Sequence, residues 1–268
     1  EAFVSIGNED QSTFSAAAGL MYLPFGRFDS NFLAFPMTLE IGETRESALM
    51  LSLGDEMLNG SVFFHNGSIG EADTIANSED SVDQFGLAAT FLHKEDNWSI
   101  EIGASYINSI GDSNGLGDFI EEAAGGPGLA ALTSYVAGFS GFVNISFSNI
   151  SIIVEQVSAL DRFDVAEIEF DGDGAQPQAF IAEAAITMNL GGKDVTFAAG
   201  VQGTEEALAL GLPESKVMLG ASIPLFDGTT LTFEYAASDD YTDEHDVGGA
   251  PGTGESETSF TVNLATEF

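Results

Sequence analysis

Apolar and polar residues alternate with a period of two along most of this 268-residue chain. Near the C-terminus, one face of an extended chain would carry Phe260, Val262 and Leu264, and the other face would carry small polar residues. Successive side chains of a β-strand point to opposite faces, so this period predicts a strand with one apolar face. The same alternation recurs in residues 98–106, 134–147, 180–190 and 229–235. We therefore expect an all-β protein.

The connections between the predicted strands are alternately short and long. Short turns are predicted near residues 7–11, 54–57, 93–97, 148–149, 191–193 and 226–228. Long segments are predicted at residues 25–45, 68–82, 110–131, 160–176, 204–214 and 238–257. Short periplasmic turns that alternate with long extracellular loops are typical of an antiparallel transmembrane β-barrel of the outer membrane.

A soluble β-sandwich would show the same periodicity, and the charges distinguish the two folds. The chain has 43 acidic and only 6 basic residues, a formal net charge of −37. A sandwich would scatter Lys and Arg over its solvent face. Here the polar face carries small polar side chains, with Glu in several strands. The pattern therefore favours the barrel over the sandwich.

The composition also excludes several functions. A content of 44% hydrophobic residues, with 22 Phe, excludes an acidic disordered chain. Six basic residues cannot neutralise a phosphate backbone, so we expect no nucleic-acid partner. Cysteine is absent, and His65, His93 and His245 are too scattered for a metal site or a catalytic triad. We therefore expect neither an enzyme nor a bound cofactor.

The whole chain, residues 1–268, is interpreted as a single barrel domain of about thirteen strands. The first strand, Glu1–Ile6, would run towards the side of the short turns, and single-chain bacterial barrels normally have an even number of strands. We therefore expect an incomplete N-terminus, with one preceding strand that would bring the barrel to about fourteen. Phe268, at the C-terminal end of an apolar face, is the residue type that barrel-assembly machinery reads.

Six segments resemble the LbtU-type siderophore porins of Gram-negative outer membranes. They are Tyr22–Gly26, Pro36–Glu46, Tyr106–Ser113, Leu212–Ser215, Thr229–Tyr235 and Leu264–Phe268, and they span nearly the whole chain in the expected order. The resemblance implies an outer-membrane barrel that takes up ferric siderophores without a plug domain. It also implies further N-terminal sequence, including a segment that resembles a coiled coil.

Four glutamates fall on the predicted lumen face of four strands: Glu101, Glu155, Glu183 and Glu234. A ring of carboxylates in a narrow pore attracts cations and repels anions. If these side chains stand at different heights, they only keep the lumen hydrated, and the sequence leaves both interpretations open.

Four basic residues fall near the ends of long loops, and we predict them at the extracellular mouth: Arg27, Arg45, Arg162 and Lys216. Together they could bind the carboxylates or hydroxamates of a ferric chelate through charge-assisted hydrogen bonds. The alternative is that each cation simply pairs with an acidic loop neighbour.

The segment Phe25–Arg45 is too apolar for a solvated loop, and it carries Glu40, Glu43 and Arg45 at close spacing. We expect it to fold against or into the barrel and to narrow the pore. The alternatives are a cap on the rim or a contact with a neighbouring subunit of a homo-oligomer.

Two acidic loops, Asp171–Gly174 and Asp239–Asp246, have oxygen ligands that could hold Ca²⁺ loosely. The alternative is a pair of solvated loops that divalent ions bridge to lipopolysaccharide, which together with outer-membrane lipid is an expected partner. The predicted function is passive passage of small solutes, with ferric siderophores as the substrate that the resemblance implies. A general cation-preferring porin and a structural or adhesive outer-membrane barrel are the alternatives.

Overall fold

Thirteen antiparallel strands form one continuous sheet in the computed structural model, which describes residues 1–7, 13–72, 82–126 and 129–266. Each strand pairs with its neighbours along the chain. The strands are β1 Ala2–Ile6, β2 Phe14–Tyr22, β3 Arg45–Gly54, β4 Leu58–Asn66, β5 Gln84–Glu95, β6 Trp98–Ile107, β7 Gly138–Phe147, β8 Ile150–Ala159, β9 Gln178–Leu190, β10 Lys193–Glu205, β11 Ser215–Phe226, β12 Thr229–Asp239 and β13 Ser256–Thr266. The predicted fold class and the number of strands in this chain are confirmed. Phe268 lies outside the described residues.

Within the described residues, two α-helices lie in the long connections: α1, Met37–Gly42, between β2 and β3, and α2, Asn114–Ala123, between β6 and β7. A 3₁₀ turn, Leu208–Leu210, follows β10. Three two-residue ladders stiffen the long loops, and they join Gly70–Glu71 to Ala131–Leu132, Glu169–Phe170 to Asp173–Gly174, and Asp246–Val247 to Ala250–Pro251. None of the helices in the described ranges is long and apolar enough to cross a membrane.

The start of β7 differs from the sequence prediction. The alternation predicted a strand over residues 134–147, but β7 begins at Gly138. The Tyr135 amide donates to Glu71 Oε1 at 3.0 Å, and the Ile110 amide donates to the Val136 carbonyl at 2.8 Å. The first four residues of the predicted strand therefore find their partners among the long loops rather than in a neighbouring strand.

The two faces of the sheet differ in composition and burial. The outer face carries large apolar side chains that are exposed, such as Ile102, Val154 and Leu219. The inner face carries small or polar side chains, and several of them are buried, among them Ser105, Glu155 and Glu183. A soluble protein buries its apolar face, so this reversed arrangement is that of a barrel wall with lipid outside.

Aromatic residues on the outer face mark two levels on three strands. Phe14 and Tyr22 of β2, Trp98 and Tyr106 of β6, and Phe147 and Phe139 of β7 each stand eight residues apart, with one member near a short turn and the other near a long loop. Eight residues cover roughly 26 Å along a strand at about 3.3 Å per residue. This length is comparable to the apolar band of about 25 Å, flanked by aromatic girdles, in outer-membrane barrels.

A separate hydrophobic core lies at the long-loop end of the sheet. It joins α1 and α2 to the strand ends through side chains with almost no exposed surface, including Phe25, Met37, Ile41, Leu116 and Val157. The loops at this end are therefore packed structures and not solvated coils.

The position of Ile102, halfway between Trp98 and Tyr106, predicts a depth-dependent cost for charge on the outer face. Ile102→Arg should lower the free energy of unfolding from lipid vesicles by about 2–4 kcal/mol, because the charge would meet the bilayer midplane. Tyr106→Arg, the control on the same strand, should cost about 0–1 kcal/mol because it lies near the interface. Equal costs in a denaturant titration would contradict this membrane position.

Candidate functional site

The connection between β2 and β3, residues 23–44, lies across the inner face of the sheet, and we call it the inner segment. Its two ends meet where the Leu23 amide donates to the Thr44 carbonyl at 2.9 Å. Between them the chain reaches β6, where the Gly26 amide donates to Ser105 Oγ at 3.1 Å, and then β8, β9 and β12. The prediction that this region folds against the barrel wall is confirmed.

The carboxylate of Glu155 on β8 holds the first turn of the inner segment. Its Oε1 accepts a hydrogen bond from the Arg27 amide at 2.6 Å, and its Oε2 accepts from the Phe28 amide at 3.0 Å. The hydroxyl of Thr38, at the start of α1, donates to the same Oε2 at 2.9 Å. Glu155 therefore joins the outgoing and the returning part of the segment.

Two further carboxylates hold the middle of the inner segment. Glu183 on β9 accepts from Ser30 Oγ at 2.7 Å, from the Asn31 amide at 2.8 Å and from Asn31 Nδ2 at 3.2 Å. Glu234 on β12 accepts from the Leu33 amide at 2.6 Å and more weakly from the Ala34 amide at 3.4 Å. The exposed fractions of Glu155, Glu183 and Glu234 are only 1%, 3% and 5%.

Glycines on the wall make room for an aromatic ring of the inner segment. A Cβ at Gly200 on β10 would stand 2.8 Å from the Phe32 ring, and one at Gly220 on β11 would stand 3.2 Å from it. The ring therefore lies directly over two strands that present only backbone. This close approach fixes the height of the segment above the wall.

The second half of the inner segment, which contains α1, packs against α2 in the long loop after β6. Glu43 accepts two hydrogen bonds from Asn114 at the start of α2, one at its carbonyl (2.7 Å) and one at Oε2 (2.8 Å). A Cβ at Gly115 would stand only 2.0 Å from the Glu40 carbonyl oxygen, so glycine is needed where the two helices meet. The predicted site residues Glu40 and Glu43 thus lie at a contact between helices.

A partly exposed charge cluster lies on the surface of the segment. Arg27 pairs with Asp29 at 2.9 Å and with Glu101 of β6 at 3.5 Å. Asp29 also accepts from Asn144 Nδ2 of β7 at 2.7 Å. The side chains of Arg27 and Asp29 are 47% and 42% exposed, so they remain accessible to a solute.

The structure does not bring the four predicted rim cations together. Arg45 lies on the outer face, where its guanidinium stands 5.9 Å from the Tyr22 ring centroid. Arg162 forms a two-point ion pair with Glu206, with both N–O distances at 2.8 Å, as the alternative of pairing with an acidic loop neighbour expected. Lys216 starts β11 and forms no ion pair with any described residue. Arg27 is the one of the four that lies in the inner segment.

The two acidic loops hold each other at the long-loop end. Asp171 accepts from the Asp246 amide at 2.9 Å, and its Oδ2 lies 2.8 Å from His245 Nδ1. The Phe170 ring stacks on the His245 ring with centroids 5.1 Å apart. The hydrogen bond between the two side chains raises the pKa of His245 and lowers the pKa of Asp171. Within the described ranges, no group of three or more acidic or histidine side chains could hold a metal ion.

Several of these contacts have no signal in the sequence. Asn144, which donates to Asp29, and Gln202 on β10, whose Oε1 accepts from the Met37 amide at 3.0 Å, follow no motif, and only the fold places them against the inner segment. The alternation of side chains along the strands predicts that these glutamates face inward. It gives no indication that backbone amides of another segment approach them.

An apolar outer face, a polar inner face and a connection laid across the inner face define the fold of outer-membrane porins. The anion-selective porin from Comamonas acidovorans superposes with a TM-score of 0.59 at 12% identity and covers 99% of this chain and 77% of its own. Pseudomonas putida OprB gives a TM-score of 0.56 at 10% identity, over 98% of this chain and 71% of its own. The outer membrane channel DcaP of Acinetobacter baumannii gives 0.54 at 12% identity, over 93% and 70%.

In sequence, the chain is similar to the UPF0422 protein of Coxiella burnetii, with 29% identity over 245 residues, 90% of this chain and 51% of that protein. The UPF0422 protein lpl2888 of Legionella pneumophila (strain Lens) is 29% identical over 251 residues, 89% of this chain and 46% of that protein. The chain thus spans about half the length of these relatives. No protein-family model matches the chain.

The contact between Phe32 and the wall predicts an overpacking effect. Gly200→Ala should cost about 1–3 kcal/mol in the free energy of unfolding, because the new methyl group would meet the Phe32 ring and the Glu183 side chain. Gly60→Ala on β4 is the control, since nothing lies closer than 3.8 Å to a Cβ there. Adding Phe32→Ala should lower the extra cost of Gly200→Ala in a double-mutant cycle to the part that the Glu183 side chain imposes; additive costs would contradict the contact with the Phe32 ring.

The pair of Asp171 and His245 predicts a pH-dependent contact between the two acidic loops. Asp171 is charged above its lowered pKa, and His245 is protonated below its raised pKa. The ion pair is therefore present at pH values between the two pKa values, and it is lost as the pH rises through the pKa of His245. Hydrogen exchange of the Asp246 amide should therefore accelerate beyond the intrinsic trend as the pH rises through the raised pKa of His245. His245→Gln should remove this extra acceleration, and its persistence in that variant would contradict the assignment.

Proposed function

We propose that this chain forms a passive diffusion pore in the outer membrane, narrowed by the inner segment and more permeable to small cations than to anions. The observation that carries the proposal is the inner segment itself, which lies across the polar face of a wall whose other face is apolar. A chain so placed reduces the cross-section of the lumen and brings charged side chains close to any solute that passes.

The charges of the inner face support a preference for cations. Glu101, Glu155, Glu183 and Glu234 all point inward, and Asp29 joins them from the inner segment. Against these acids stand Arg27, which is already paired with Asp29 and Glu101, and Lys216 near the start of β11. In a confined pore an excess of fixed negative charge raises the local concentration of cations.

Passage of ferric siderophores is the second candidate. Two of the segments that resemble siderophore porins, Tyr22–Gly26 and Pro36–Glu46, form most of the inner segment and its borders. The overlap of these segments with the inner segment supports a constriction that this chain and the siderophore porins have in common. The cluster of rim cations that would recruit an anionic chelate is not formed, because Arg45 and Arg162 are engaged elsewhere. The cation-preferring pore is therefore the first proposal.

Recordings of the full protein in planar bilayers, under a KCl gradient, test both candidates. We expect single-channel currents whose reversal potential indicates cation preference. Glu101→Gln should lower the cation-to-anion permeability ratio by a factor of about two, because it removes a charge whose side chain is 20% exposed to the lumen. Glu56→Gln, an exposed glutamate in the turn between β3 and β4, is the control with the same change in net charge.

Each outcome of these recordings separates the alternatives. Block of the current by one class of ferric chelate would favour the siderophore pore over the general one. Anion preference, or an equal effect of the two glutamine variants, would contradict the proposed charge selection. A full protein that gives no conductance would contradict the pore and favour a structural or adhesive barrel.

A further inference from the structure

At each of the three buried glutamates, several hydrogen-bond donors of the inner segment converge on one carboxylate. Glu155 and Glu183 each accept three hydrogen bonds from the segment, and Glu234 accepts two. An ionised carboxylate has two oxygens and only accepts, so it can satisfy several donors that converge on one point.

Gln202 on β10 provides an internal comparison. It meets a single donor of the segment, the Met37 amide, which reaches its Oε1 at 3.0 Å. Its amide nitrogen is directed at the sulfur of Met218, 3.2 Å away. The wall thus carries an amide where one donor arrives and carboxylates where two or three arrive. The choice between Glu and Gln follows the hydrogen-bonding demand of the segment.

Burial separates these glutamates from the acids that a solute can reach. Glu155, Glu183 and Glu234 are covered by the inner segment, with at most 5% of their surface exposed. The side chain of Glu101 is 20% exposed and that of Asp29 is 42% exposed. Arg27, which forms ion pairs with both, is 47% exposed. The inward acids therefore divide into a covered set and an accessible set.

We infer that Glu155, Glu183 and Glu234 are positioning residues that hold the inner segment on the wall, whereas Arg27, Asp29 and Glu101 are the charges that a solute meets directly. The inference rests on the proposed pore function and assigns the bore of the pore to the three covered glutamates. A glutamine at a covered position offers one acceptor and turns an N–H donor towards the donors of the segment. The segment would lose its anchor there with almost no change in the shape of the side chain.

The experiment compares glutamine variants at covered and accessible positions in the full protein. Glu155→Gln and Glu183→Gln should raise the single-channel conductance roughly twofold and increase current noise, because the released segment no longer occupies the lumen. Glu101→Gln should shift the reversal potential. Glu56→Gln, in the exposed turn between β3 and β4, is the matched control, and its conductance should stay close to that of the wild type.

Hydrogen exchange of the amides of residues 27–34 gives a second readout that needs no current. These amides should lose protection in Glu155→Gln and Glu183→Gln and keep it in Glu101→Gln. Glu234→Gln, which removes the anchor with the fewest donors, supplies the same test if the other two variants fail to fold.

Two results would overturn the inference: unchanged conductance in the covered variants, or full protection of residues 27–34 in them. If the wild type passes no current, the proposed pore fails, and the exchange measurement alone still decides whether the glutamates hold the segment.

Discussion

A strand that meets lipid on one face can carry polar chemistry only on the other. This constraint organises the whole structure, since every polar group that is not paired between strands must find its partner on the inner face or in the loops. The side chains follow it: Ile102, Val154 and Leu219 stand outward, and Ser105, Glu155 and Glu183 stand inward. The backbone of residues 23–44, which belongs to no strand of the sheet, follows it too, by placing its amides on inner-face oxygens.

The inner segment therefore fits the wall at the level of single hydrogen bonds. Carboxylates receive its amides, a pair of glycines receives the Phe32 ring, and the end of α1 is closed by the contact of Glu43 with Asn114. Buried carboxylates are costly unless they accept several hydrogen bonds, and here the backbone of the segment provides them without a basic side chain on each acid. The same contacts leave Arg27 and Asp29 as the charges that the segment presents to the open lumen.

The sheet could be predicted from the sequence because its signal is local and repeated. The alternation along β6 and β9 gives each strand and its faces, and the change between short and long connections gives the meander. The start of β7 was wrong by four residues, because loop partners such as Glu71 compete for the amides there. The role of Glu183 could not be read, since it depends on Ser30 and Asn31, which are 153 and 152 residues away. The alternation of residues along a strand indicates the face of the sheet on which a side chain lies. It does not indicate which other groups of the chain contact that side chain.

The sequence distances within the site also order the events of assembly. The inner segment follows β2, yet its anchors stand on β8, β9 and β12, and the bond from Leu33 to Glu234 joins residues 201 positions apart. Contacts so distant in sequence form only after the intervening chain has been arranged. Until β12 joins the sheet, the amide of Leu33 has water as its partner. Docking of the segment on the inner face is therefore a late step in folding.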